Sequence, residues 1–83
     1  MYFVGEKIRI KGELGQTFLA TINGGLVSIT IGPETDTGII TKIIPGPRPG
    51  TEYSYMIKFM SFQYPVEVDE DYITKFKDCN DKC

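Results

Sequence analysis

Apolar residues in this chain recur at period two rather than 3.6, and each short run is stopped by glycine, proline or Asn-Gly. No motif constrains the fold as much, because alternation over four to eight residues is what a half-buried β-strand requires. Five or six strands follow. The first covers about residues 6–11, with Ile8 and Ile10 facing one way and Lys7, Arg9 and Lys11 the other. Residues 12–16 break it. The second spans about 17–22 and the third about 26–31. Asn23-Gly24-Gly25 joins them, and these residue types accept the positive φ of a tight hairpin turn. After a polar loop over 32–36 comes a fourth strand, about 37–44. Residues 45–50 then carry Pro45, Pro47 and Pro49, which have no N–H to give to a ladder. In the fifth strand, about 53–60, Tyr53, Tyr55, Ile57 and Phe59 share one face. A short strand at 66–68 leads into a single helical or 3₁₀ turn, which Asp69 is placed to cap. Tyr72 and Ile73 then plug the open end of the core, and residues 74–83 are expected to fray.

Eighty-three residues with 41% hydrophobic content suffice for one folded domain with one small core. Residues 1–75 are expected to form it, with the hairpin 17–31 inserted, and 76–83 to be a flexible tail. No apolar run approaches the roughly 18–20 residues of a membrane-spanning helix. Charge arrives at Glu6 and Lys7, too soon for a secretory leader, so the expected location is cytoplasmic. Cys79 and Cys83 both fall in the last five residues and cannot staple the core. Their expected state is a pair of reduced thiols.

The chain has no histidine, which removes Ser-His-Asp and Cys-His catalysis and every His-ligated metal site. Two thiols supply half of a tetrahedral zinc site at best. No nucleophile–base pair is legible, so the expectation is a protein that is not an enzyme and holds neither cofactor nor metal. The acidic group Glu67, Asp69, Glu70 and Asp71 lacks the spacing of a calcium loop and reads as a solvated turn.

The order of the segments adds information. Gly5-Glu6-Lys7-Ile8-Arg9-Ile10 is followed, after a long connection, by Gly38-Ile39-Ile40-Thr41-Lys42-Ile43-Ile44. A Gly/Pro turn leads to Tyr53-Ser54-Tyr55-Met56-Ile57-Lys58-Phe59, and Val66-Glu67-Val68 and Asp69-Glu70-Asp71-Tyr72-Ile73 complete the series. This order resembles the SH3-like β-barrel superfamily, whose members include KOW-type modules, a small protein of photosystem I and the variable chain of ferredoxin-thioredoxin reductase. The resemblance covers residues 4–11 and 37–73. It implies an all-β fold: a small SH3-like barrel with an extra β-hairpin inserted after the first strand. Fold likeness does not by itself supply a function.

Three regions are candidate contact surfaces. Arg48 sits in the proline loop, and with Tyr55 and Phe59 expected in the core, the aromatics of residues 53–64 left as surface anchors are Tyr53, Phe62 and Tyr64. These four are the expected partner-binding residues, tyrosine in particular being suited to interfaces. The hairpin 17–31 carries no charged residue to blunt its edges, so it either covers the barrel or pairs with another chain, giving a homo-oligomer. Lys7, Arg9, Lys11, Lys42 and Lys58 form a basic stripe that could bind phosphate despite the net charge of −2. The leading expectation is a non-catalytic protein-binding module, or a small accessory or inhibitor subunit of a larger assembly. A KOW-like nucleic-acid-binding module is the alternative.

Overall fold

The computed structural model describes residues 2–48, 50 and 52–76. They form an all-β fold: β1 (Lys7–Ile10), β2 (Thr17–Ile22), β3 (Gly25–Thr30), β4 (Thr37–Ile44), β5 (Ser54–Phe59), β6 (Val66–Asp69), a 3₁₀ turn (Glu70–Tyr72) and β7 (Ile73–Lys75). All pairings are antiparallel within one seven-stranded sheet of order β3-β2-β6-β5-β4-β1-β7.

The period-two pattern explains which residues enter the core. Ile8 and Ile10 of β1 are buried while Lys7 and Arg9 are exposed. In β5, Tyr55, Ile57 and Phe59 are fully buried, and the alternate positions are half-buried. Every strand contributes to a single cluster of buried side chains. Its members include Phe18 and Ala20 of β2, Ile29 of β3, Ile40 of β4, Val66 and Val68 of β6, and Ile73 of β7. The Phe18 and Phe59 rings lie 6.1 Å apart, so the hairpin packs into the same core as the rest of the sheet.

Local chemistry sets the turns. Asn23 and Gly24 adopt φ of 52° and 80°, both left-handed, between the paired residues Ile22 and Gly25. This two-residue turn matches the twist of the strands it joins. Gly38 is an inward-facing position of β4 where the neighbouring strand approaches closely. A Cβ there would fall on the Ile57 Cγ2 methyl, and would lie 3.1 Å from the Lys58 carbonyl oxygen. In β4 the register slips between Ile40 and Lys42. This bulge leaves Thr41 and Lys42 both exposed and returns Ile43 opposite buried Tyr55.

The structure departs from the sequence reading at four places. Residues 73–75 form β7, paired with β1 through Ile10↔Ile73, where fraying was expected from residue 74. Lys11 lies outside β1, and its N–H donates to the Tyr72 carbonyl at 2.8 Å. Asp69 occupies the N-cap position of the 3₁₀ turn but makes no side-chain cap bond. Its Oδ1 instead accepts from the Ser54 hydroxyl at 3.0 Å on the adjacent strand, a partner that only strand pairing brings near. The hairpin is also part of the sheet, because Thr21 pairs with Glu67 of β6. Residues 77–83, with Cys79 and Cys83, lie outside the described residues.

Candidate functional site

The two ends of β5 each gather aromatic side chains, Phe59 and Phe62 at one and Tyr2, Tyr53 and Tyr55 at the other. At the first end, β5 stops at Phe59 and the chain turns through Ser61, Phe62, Gln63 and Tyr64 into β6. Strand β2 ends alongside at Ile22. Between them lies an open groove of about 240 Å³ lined by Ile22, Phe62, Tyr64, Val66 and the Ser61 and Gln63 segments. Among the described residues, no charged side chain lines it. Phe62 forms its floor. The ring stands edge-to-face on Phe59 at 5.8 Å and 79°, a favourable quadrupole arrangement. Tyr64 forms the rim and is 69% exposed.

Lys58 fixes this turn. Its ammonium donates to the Phe59 carbonyl at 2.8 Å and to the Phe62 carbonyl. A charge-assisted pair of this kind locks the backbone that carries Phe62. It also occupies a cation that the sequence had placed in the basic stripe.

At the other end of β5, Tyr53, Tyr55 and Tyr2 stack in series. Tyr2 meets Tyr55 edge-on at 5.4 Å, and Tyr55 meets Tyr53 at 6.4 Å and 77°. The Tyr55 hydroxyl is buried and, among the described residues, has no hydrogen-bond partner of normal geometry. Burial first, and the Glu70 charge second, push its pKa above the ordinary tyrosine value. Tyr2 is raised for the same two leading reasons. Outside this stack lie Glu52, Asp69 and Asp71. The Asp71 charge, then partial desolvation and the hydrogen bond that protonated Glu52 donates to the Asp71 carboxylate, raise the Glu52 carboxyl above its ordinary value. Among the described residues, no group of three or more metal-ligating side chains is arranged to hold an ion.

The four expected partner-binding residues therefore do not form one site. Phe62 and Tyr64 share the groove. Tyr53 lies at the opposite end of β5, about 20 Å away at roughly 3.3 Å per residue, and Arg48 is exposed in the loop that precedes it. Phe62 is also half-buried against the core, where the sequence reading placed it as a surface anchor. Tight turning at Ser61 swings its ring back over Phe59, and residue spacing does not reveal such a return. Ile22 and Val66 were missed as lining residues, although each is the last or first apolar position of its strand.

The basic stripe is reduced in the same way. Lys7 and Arg9 sit side by side on β1 and both face the Phe76 ring, at 4.2 Å and 5.7 Å from its centroid. Lys42 is exposed beyond the β4 bulge, and Lys11 is exposed outside β1. Comparison with family models, curated proteins and solved structures finds no significant match for this chain.

Proposed function

We propose that the protein is a cytoplasmic, non-catalytic protein-binding module with an SH3-like barrel fold. It acts as a small accessory or inhibitor subunit of a larger assembly. The observation that carries this reading is the uncharged groove between Ile22, Phe62, Tyr64 and Val66, rimmed by an exposed tyrosine. A concave apolar floor with one exposed aromatic at its rim suits an apolar side chain of a partner protein. The barrel reading is supported by loop 32–36. Thr35 bonds the end of β3 and Asp36 bonds the end of β1, so the loop spans the two sides of the sheet. The nucleic-acid alternative rests on Lys7 and Arg9 beside Phe76, and it loses Lys58 to the Phe59 and Phe62 carbonyls.

The test is affinity capture from native lysate with the full chain and with Tyr64→Ala, followed by mass measurement of the intact assembly. A protein retained by the parent chain, lost with Tyr64→Ala and indifferent to salt supports the groove. Recovery of no protein, together with nucleic-acid binding that falls steeply with salt, overturns it in favour of the basic face.

A further inference from the structure

The sheet ends in β7 on one side and β3 on the other, and the two edges are finished differently. At β7 the Tyr2 hydroxyl donates to the Ile73 carbonyl at 3.4 Å, and Lys75 pairs with Glu6 at 3.2 Å. Such an edge is blunted by charge and cover. Strand β3, Gly25–Thr30, has no charged side chain, nor has β2 behind it.

The register identifies which backbone groups of β3 are free. Ile22 and Gly25 flank a two-residue turn and so form a hydrogen-bonded pair. From the far end, the Ile31 N–H donates to the Gln16 carbonyl at 2.7 Å. Both observations set the same parity. Gly25, Val27 and Ile29 direct their backbone groups to β2, while Leu26, Ser28 and Thr30 direct theirs away from the sheet. The Thr30 carbonyl is already taken by the Thr35 hydroxyl at 2.8 Å. Among the described residues, nothing bonds the N–H and C=O groups of Leu26 and Ser28, which stand symmetrically about Val27.

We propose that a second copy of this chain occupies this edge, the two β3 strands running antiparallel about a two-fold axis at Val27. In that register the Leu26 N–H donates to the Ser28 carbonyl of the second copy, and the Ser28 N–H donates to its Leu26 carbonyl. The symmetric pair completes four bonds and uses both backbone groups of Leu26 and of Ser28. A register centred on Ser28 would place Leu26 opposite Thr30, whose carbonyl Thr35 holds.

Side-chain parity agrees. Leu26, 70% exposed, lies on the same face as Ser28 of the second copy, and Val27 meets Val27 on the core side. The chain carries a net charge of −2, yet neither hairpin strand is charged, so two copies meet here without like-charge repulsion. An edge this short buries less than the roughly 1,200 Å² of a standard interface, so the dimer is weak and concentration-dependent. This inference rests on the β3 edge alone and is independent of the groove.

The test is sedimentation equilibrium of the full chain with reductant present, so that Cys79 and Cys83 cannot cross-link copies. Concentrations should run from about 10 μM to about 1 mM, which brackets a weak interface of this size. The mass is expected to rise from 9.3 kDa toward twice that value. Ser28→Pro removes an N–H aimed at the free edge and no bond to β2, and should weaken association about tenfold or more. Leu26→Lys brings two positive charges together near the axis and should do the same, whereas Tyr64→Ala should dimerise like the parent chain. In the unmodified protein, the Leu26 and Ser28 amides should exchange more slowly as concentration rises, a readout that does not depend on any variant folding. A mass fixed at 9.3 kDa throughout overturns the proposal. So does a dimer whose Leu26 and Ser28 amides stay unprotected, or one lost with Tyr64→Ala.

Discussion

The Thr35 hydroxyl donates to the Thr30 carbonyl at 2.8 Å and accepts from the Gly32 N–H at 2.7 Å. One buried side chain thereby closes the 32–35 loop and covers the end of the β3 edge. The next residue, Asp36, accepts the Ile10 N–H at 2.8 Å, so the loop also ties the end of β3 to the end of β1. Replacing Thr35 by Val keeps the shape and removes both bonds. A loss of about 1–3 kcal/mol is expected, since two backbone groups lose their partner. Denaturant unfolding checks it, and an unchanged midpoint would show that water replaces the hydroxyl without cost.

Gly38→Ala should destabilise the fold by about 1–3 kcal/mol, the usual range for overpacking a core. The added methyl meets the Ile57 side chain and, at 3.2 Å, the Phe59 ring, both fully buried. Because the clash lies where β4 meets β5, the thermal midpoint should fall while far-UV circular dichroism keeps its β character. Equal midpoints for the two proteins would mean that the strands separate easily at this point.

Tyr55→Phe is expected to leave stability unchanged or to raise it, by on the order of 1 kcal/mol. The hydroxyl is buried, it makes no hydrogen bond of normal geometry among the described residues, and the approach of the Tyr2 backbone offsets only part of its desolvation. The ring itself, stacked edge-on between Tyr2 and Tyr53, is retained by phenylalanine. A clear loss of stability in thermal unfolding would reveal a bond to that hydroxyl.

Glu52 gives a pH dependence whose sign is fixed by its raised pKa. The folded state holds this proton to higher pH than the unfolded chain does. Stability therefore falls as pH rises from the ordinary glutamate value through the raised folded one. Above that window the ionised Glu52 repels Asp71. Glu52→Gln should have the higher melting temperature at pH 7, and the difference should vanish in acid and shrink with added salt. A lower melting temperature for the variant at pH 7 would contradict this assignment.

The two groove aromatics should separate in their effects. Phe62→Ala removes a ring that stacks on Phe59, and should cost about 1–3 kcal/mol, less than for a fully buried phenylalanine. Tyr64→Ala removes an exposed ring and should change stability by no more than about 0.5 kcal/mol. Chemical denaturation of both variants measures the contrast, and similar losses would place Tyr64 in the core packing.

The sequence was most informative where one residue's neighbours along the strand decide its environment. Ile8 and Ile10, Phe18 and Ala20, and Tyr55, Ile57 and Phe59 are buried as alternation demands, and Asn23-Gly24 turns where its left-handed preferences allow. It was least informative where the partner is distant in the chain. Asp69 has the position and chemistry of a cap, yet the Ser54 hydroxyl fifteen residues away claims its carboxylate. Lys58 has the alternation of a surface cation, yet its ammonium folds onto two carbonyls of the following turn.

Local backbone preference and a period of two account for the strands, the faces they bury, the hairpin turn and the lack of charge on β2 and β3. The order β3-β2-β6-β5-β4-β1-β7 arises only when the whole chain folds, and it leaves β3 at an edge and puts Ile22 beside Val66 and Phe62. Folding likewise brings Thr35 over Thr30 while Leu26 and Ser28 stay open. Strand order depends on which pairs of faces close one core, a condition on the whole chain that no short window of residues contains.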